Sequence, residues 1–184
     1  MPYEAPQGRR VNVIGGYFTA GPLAGEFSFV SYAQIPKSTA QPARKTVAEQ
    51  AAKHGVAAEA LGVIDSDVLL AFVWLLAGRP PEAPADWQRE RPLEVWLDNY
   101  SVHKSQRVKE ELPRLEAAKI RLCYLPAYCP DLSGIEPIWQ DVKYRGMQMR
   151  SHKSVGELKA AVDVALARKA IELRESVKSL AGTA

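Results

Sequence analysis

The sequence predicts a mixed α/β fold, and three observations carry this. Two β-rich runs, residues 11–20 and 26–34, flank Gly21-Pro22-Leu23-Ala24-Gly25, which predicts an antiparallel hairpin. Two apolar runs, 93–97 and 120–125, bracket a charged amphipathic stretch over 105–119, and strand, helix, strand in that order predicts a parallel pair. Helical patterns then follow. A hairpin, a strand–helix–strand unit and further helices make a mixed layout rather than an all-β or all-α one.

Taken in order, the hairpin is followed by residues 37–62, rich in Ala, Lys and Gln, which read as a variable, insertion-like segment. Within it, 46–54 looks helical and is stopped by Gly55. Ser66 is expected to cap a helix over 67–77, closed by Gly78 and Pro80. That helix is apolar nearly all round and should be covered on most sides. Residues 79–92 hold four prolines and many charges, so they form a surface loop.

The strand 93–97 leads into the helix over 105–119, with Val108, Leu112, Leu115 and Ala118 on one face and Pro113 expected to kink or divide it. After the strand 120–125, Ser133-x-x-Glu136 opens a helix to about residue 147. Ser154-x-x-Glu157 is a capping box. It opens the last helix of a C-terminal helical region over 151–184, with Leu158, Ala161, Val162, Ala165 and Leu166 on one face. There are no repeats.

A chain of 184 residues is long enough for one domain with a real core. Its 47% hydrophobic and 24% charged content is that of an ordinary globular protein. A net charge of +3 permits nucleic-acid binding without arguing for it. Cys123 and Cys129 are too few for a disulfide framework and lack zinc-ligand spacing; Cys123 reads as a small core residue. The first ten residues hold no apolar run of the signal-peptide kind, and the longest apolar run, 68–77, is too short to span a membrane. A reducing cytoplasm fits.

The chemistry concentrates after the two apolar runs. Asp98 follows 93–97, and Glu136 lies beyond 120–125. If those runs are neighbouring buried strands, the carboxylates emerge at one sheet edge, a setting that suits hard divalent cations such as Mg²⁺. Each acid also has a structural reading. Asp98-Asn99 forms an Asx turn in many proteins, and Glu136 in Ser133-x-x-Glu136 is placed to bond back to the Ser133 amide. Asn99 is either a turn residue or an orienter of Asp98. His103 is either an exposed side chain near a helix start or a group beside the carboxylates. Asp131 reads as turn chemistry, Trp139 as core, and Asp65 and Asp67 as part of a helix N-terminus. Lys143, Arg145 and Arg150 form a basic cluster, either a solvated face or phosphate contacts.

The string Asp98-Asn99-x-x-x-His103, followed by Leu125-Pro126-x-Tyr128-x-Pro130-Asp131-Leu132-x-x-Ile135-Glu136-x-x-Trp139-x-x-x-Lys143, resembles the DDE-superfamily transposases. It looks most like the bacterial insertion-sequence group related to mariner elements. The resemblance is strong over 93–147, weaker over 11–35 and absent over 37–62. Cys129 stands where the family has Ser, and Ser133-Gly134 where it has Asn-Pro.

The resemblance implies a ribonuclease-H-like sheet flanked by helices, and metal-dependent cutting and joining of transposon DNA ends. It makes Asp98 and Glu136 two of three catalytic carboxylates holding Mg²⁺ or Mn²⁺, two ions in the complete enzyme. Asn99 and His103 support them, and Lys143, Arg145 and Arg150 contact DNA. The implied partners are transposon-end and target DNA, with a second copy or an upstream transposase half, in the cytoplasm at a bacterial nucleoid and with no membrane. Nine residues precede Arg10, and their sole acid is Glu4. The family's first strand and first Asp are therefore expected to be missing, making 1–184 a single, N-terminally truncated catalytic domain. That leaves a second reading open: a non-catalytic remnant or split-frame half that keeps the fold and weak DNA binding.

Overall fold

The computed structural model describes residues 9–34, 49, 51–52, 55–126, 129, 132–147 and 152–181. They form a mixed α/β structure with one antiparallel and one parallel strand pair. The chain divides into two compact units, one of residues 1–63 and 137–184, the other Ile64–Glu136.

In the first unit, β1 (Arg10–Tyr17) and β2 (Phe27–Gln34) pair antiparallel, with Tyr17 opposite Phe27 and Arg10 opposite Gln34. The turn works because Gly21 and Gly25 take positive φ, +80° and +86°. Backbone bonds from Gly25 N to Phe18 O (2.8 Å) and from Phe18 N to Glu26 O (2.9 Å) close it. Among the described residues no strand pairs with the outer edge of β1. The outer edge of β2 takes a bridge from Leu61, and Gly62 O accepts the Asn12 side chain at 3.1 Å. The end of the insertion-like segment therefore docks on the hairpin. Of the helix expected over 46–54, Glu49, Ala51 and Ala52 are described and helical; the rest lies outside the described residues.

α4 (Val155–Ala181) packs on the hairpin and buries Val162, Ala165 and Leu166. Its start is capped, with Ser154 Oγ accepting from Glu157 N at 3.1 Å. The return bond runs from Lys153 N to Glu157 Oε2 (2.7 Å), one residue earlier than in a strict capping box. The helix expected over 133–147 is shorter and divided: α3 (Glu136–Asp141) gives way to a π-helical turn, Val142–Gly146. Trp139, expected in the core, is half-buried and packs against the hairpin. Its ring meets Phe27 edge-on at 5.6 Å, and a Cβ on Gly15 would come within 2.5 Å of it.

In the second unit, α1 (Ser66–Leu76) precedes β3 (Leu93–Leu97), α2 (Gln106–Ala117) and β4 (Ile120–Tyr124). The cap of α1 is Asp65, not Ser66: Asp65 Oδ1 accepts from Asp67 N and Val68 N. Both residue types cap helices, and Ser66 Oγ is instead bonded to Ser105 Oγ at 2.7 Å. α1 buries Leu69, Leu70, Phe72 and Val73 but leaves Leu75 exposed, so its cover is one-sided.

Pro113 does not divide α2, which runs unbroken through it. Its ring faces solvent, while Val108, Leu115 and Ala118 are buried. A mid-helix proline costs about 3 kcal/mol, and burying a Val or Leu returns about 1.5–3 kcal/mol each, so packing wins. The 79–92 loop is tied back by Arg79, whose guanidinium bonds Ala83 O at 3.0 Å, and by Arg89, which bonds Ala77 O.

β3 and β4 pair in parallel, Leu93 opposite Ile120 and Leu97 opposite Tyr124. The run 93–97 is not buried on both faces: Leu93, Val95 and Leu97 turn inward while Trp96 is 60% exposed. Cys123 is half-buried rather than a sealed core residue.

Candidate functional site

Asp98 follows the last residue of β3, and Leu125 N bonds Leu97 O at 2.9 Å, so the strand ends run together. The chain then turns through a 3₁₀ segment, Ser101–Lys104, into α2, whose cap is Ser105 accepting from Val108 N. Asp98 does form an Asx turn, its Oδ1 accepting from Tyr100 N at 2.9 Å. That bond engages one oxygen. His103 Nδ1 lies 2.8 Å from the same Oδ1 and 3.2 Å from the Asp98 carbonyl. The Asp98 side chain is 64% exposed and that of His103 16%. Asp98 Oδ2 has no protein partner among the described residues.

Asn99 does not orient Asp98. Its amide donates to Leu125 O at 2.7 Å, and its carbonyl oxygen accepts from Lys104 Nζ. Lys104 Nζ also sits 5.5 Å from the centroid of the Tyr124 ring, and the Tyr124 hydroxyl donates to His103 O at 2.9 Å. Burial pushes the Tyr124 hydroxyl pKa up, keeping it a donor. Asn99, Lys104 and Tyr124 thus knit the Asp98–His103 loop to the end of β4. Sequence reasoning missed Tyr124 and Lys104; the one signal was their position, in register with Leu97 and next to His103.

Glu136 is the first residue of α3 and half-buried. Its amide donates to Ser133 O at 3.1 Å. The reciprocal bond of a capping box, carboxylate to Ser133 amide, does not form, and its carboxylate takes no hydrogen bond or ion pair among the described residues. Asp98, Asn99, His103 and Glu136 all belong to the Ile64–Glu136 unit. Among the described residues no three His, Cys, Asp or Glu side chains converge as a ready-made metal cage. Asp98 Oδ2 and the Glu136 carboxylate are oxygens without protein partners among the described residues, the kind of donor a hard cation takes.

Lys143 and Arg145 lie in the π-turn of the other unit. Arg145 is highly exposed and reaches Asp141 at 3.3 Å, while Lys143 lies 5.1 Å over the exposed ring of Tyr144. Asp141 also pairs with Lys169 at 2.6 Å; these cations, Lys169 first, hold its carboxyl below the ordinary range despite opposing desolvation. Arg150 and Asp131 lie outside the described residues.

Sequence reasoning also missed a buried charge. Glu111 accepts from Arg107 (3.1 Å), Arg114 (3.0 Å) and Trp74 Nε1 (3.3 Å). Arg79 and Arg114 each sit 5.1 Å from the Trp74 ring. Burial pushes the Glu111 carboxyl up, but the two arginines and Trp74 together hold it below its usual range.

Among the described residues no helix is long and apolar enough to cross a membrane. No curated protein and no solved structure matches the chain. Residues 72–159 match the family model of DDE superfamily endonucleases. That span takes in β3, the Asp98–His103 loop, α2, β4 and Glu136, and in it the chain is similar to DDE superfamily endonucleases.

Proposed function

We propose that this chain acts in metal-dependent cleavage and strand transfer of transposon DNA ends, with Asp98 and Glu136 as metal ligands. The observation that carries the reading is Asp98 itself. It stands at the C-terminal end of a parallel strand pair inside the matched family stretch, with one oxygen held by the loop and the other without a protein partner among the described residues. Finer placement in the mariner-related group rests on the string from Asp98 to Lys143.

Asp98 and Glu136 would hold the ion. A bound Mg²⁺ or Mn²⁺ would supply activation of an attacking oxygen and stabilisation of a departing one. The residues of the chain do the positioning. The Tyr100 amide and His103 fix the Asp98 rotamer by engaging one oxygen. With its proton on Nδ1, His103 donates to that oxygen and leaves the other free. Lys143, Arg145 and Arg150 would neutralise phosphates and set register without reading bases.

The test is nicking of transposon-end DNA in Mg²⁺ or Mn²⁺ by the chain and by D98N and E136Q. Metal-dependent nicking lost in both variants supports the reading. Nicking that survives either substitution overturns that residue's assignment.

A further inference from the structure

We propose that Tyr124 is a positioning residue for the Asp98–His103 pair, acting through the His103 carbonyl. The inference rests on the reading of Asp98 as a metal ligand and names the group that holds its partner in place.

The 3₁₀ segment and α2 do not share one continuous ladder. His103 N bonds Tyr100 O (3.0 Å) and Ser105 N bonds Val102 O (3.4 Å). Beyond Ser105 the amides of α2 turn to Ser105 itself, Val108 N to its Oγ and Lys109 N to its carbonyl. The His103 carbonyl falls at this break. Its partner among the described residues is the Tyr124 hydroxyl at 2.9 Å. Leaving a partly buried carbonyl unpaired is costly, so this bond holds the His103 end of the segment against β4.

The bond is well placed to control Asp98. Tyr124 is the register partner of Leu97, the residue before Asp98. Its ring is half-buried and carries the Lys104 ammonium at 5.5 Å, while that ammonium holds Asn99 and Asn99 holds Leu125 O. Releasing the His103 carbonyl loosens the ring that engages Asp98 Oδ1, and the carboxylate is then held by the Tyr100 amide alone. Lys104 and Asn99 keep the rest of the loop in place, so the fold survives the loss.

The experiment uses the 184-residue chain, Y124F and D98N, with Mn²⁺ alone as the probe. Two quantities are read: the order of the His103 ring by NMR without metal, and Mn²⁺ affinity by calorimetry. Y124F keeps the ring packing and deletes one hydroxyl. The expected result is a mobile, shifted His103 ring and Mn²⁺ affinity weakened about three- to tenfold, the size of one hydrogen bond, with an amide spectrum otherwise unchanged. Y124L, which also removes the ring beneath Lys104, should loosen His103 at least as much. An ordered His103 ring in Y124F, unchanged from wild type, overturns the proposal. Because that signal is read without metal, it decides the role of Tyr124 separately from D98N: Mn²⁺ affinity in D98N equal to wild type would sink the metal reading instead.

Discussion

The loop after β3 and the π-turn after α3 both carry chemistry-bearing side chains, but they hold them differently. In the loop, Asp98, Asn99, His103 and Lys104 each have a bonded partner, and Tyr124 reaches in from β4. In the π-turn, Arg145 is mostly in solvent with one ion pair, to Asp141, and Lys143 rests on an exposed ring. The contrast follows from the work proposed for each. A carboxylate that places an ion must be held to a fraction of an ångström, since an error of about 1 Å can cost roughly 10²-fold in rate. A cation that neutralises phosphate acts through a long-range field and gains little from being fixed.

The largest way to break the contrast is through the buried Glu111 of the same unit. Glu111→Ala leaves Arg107, Arg114 and Trp74 without their shared acceptor. Losing a buried charge partner costs about 3–5 kcal/mol, but both arginines are half-exposed, so about 2 kcal/mol is expected. Urea unfolding reads it, and a loss below about 0.5 kcal/mol would show that the cluster is only a surface network.

The matching break in the other unit is Gly15→Ala. Its new Cβ would meet Trp139 at 2.5 Å and force the ring that anchors α3 to move. A destabilisation of about 1–2 kcal/mol is expected from overpacking. No change in unfolding midpoint would mean that the ring has room to step aside.

Acid sharpens the comparison, because each unit has a carboxyl with a lowered pKa: Glu111 beside Arg107 and Arg114, Asp141 beside Lys169 and Arg145. Each contributes stability that is complete above its ordinary value, 4.5 for Glu111 and 3.8 for Asp141, and is lost as pH falls through the lower folded value. Urea midpoints should therefore hold from neutral pH to about 5 and fall below about 4. Glu111→Gln should flatten part of that fall, and an unaltered profile would remove Glu111 from the account. Tyr124 runs the other way. Its raised pKa gives stability present below its ordinary value of 10.0 and lost as pH rises through the higher folded value.

The smallest effect concerns the exposed cations. Lys143→Ala and Arg145→Ala should each reduce the slope of log affinity for DNA against log salt by about one contact, with no change in sequence preference. A slope unchanged in both would make the π-turn a solvated face and nothing more.

Much of this was legible in residue order. Glycines at 21 and 25 marked the hairpin, the alternation of apolar runs with a charged stretch marked the parallel pair, and Asp98 sat visibly at a strand end. The illegible parts depended on contacts between distant residues. Asp65 and Ser66 are equally good caps in sequence, and Ser105 decides between them by occupying Ser66. Pro113 reads as a breaker until its ring is seen on the solvent side. Trp96 reads as buried because apolar runs do not say how many faces are covered. The π-turn has no periodic signature. Tyr124 is one more apolar strand residue until its hydroxyl is found on the His103 carbonyl.

The central claim, that Asp98 and Glu136 are placed to hold a divalent cation, is tested most directly by calorimetric titration of Mn²⁺ into the 184-residue chain, D98N and E136Q. The prediction is measurable binding in the wild type, reduced at least about tenfold by each substitution, with the fold intact by circular dichroism. Binding of equal strength in all three proteins would contradict it.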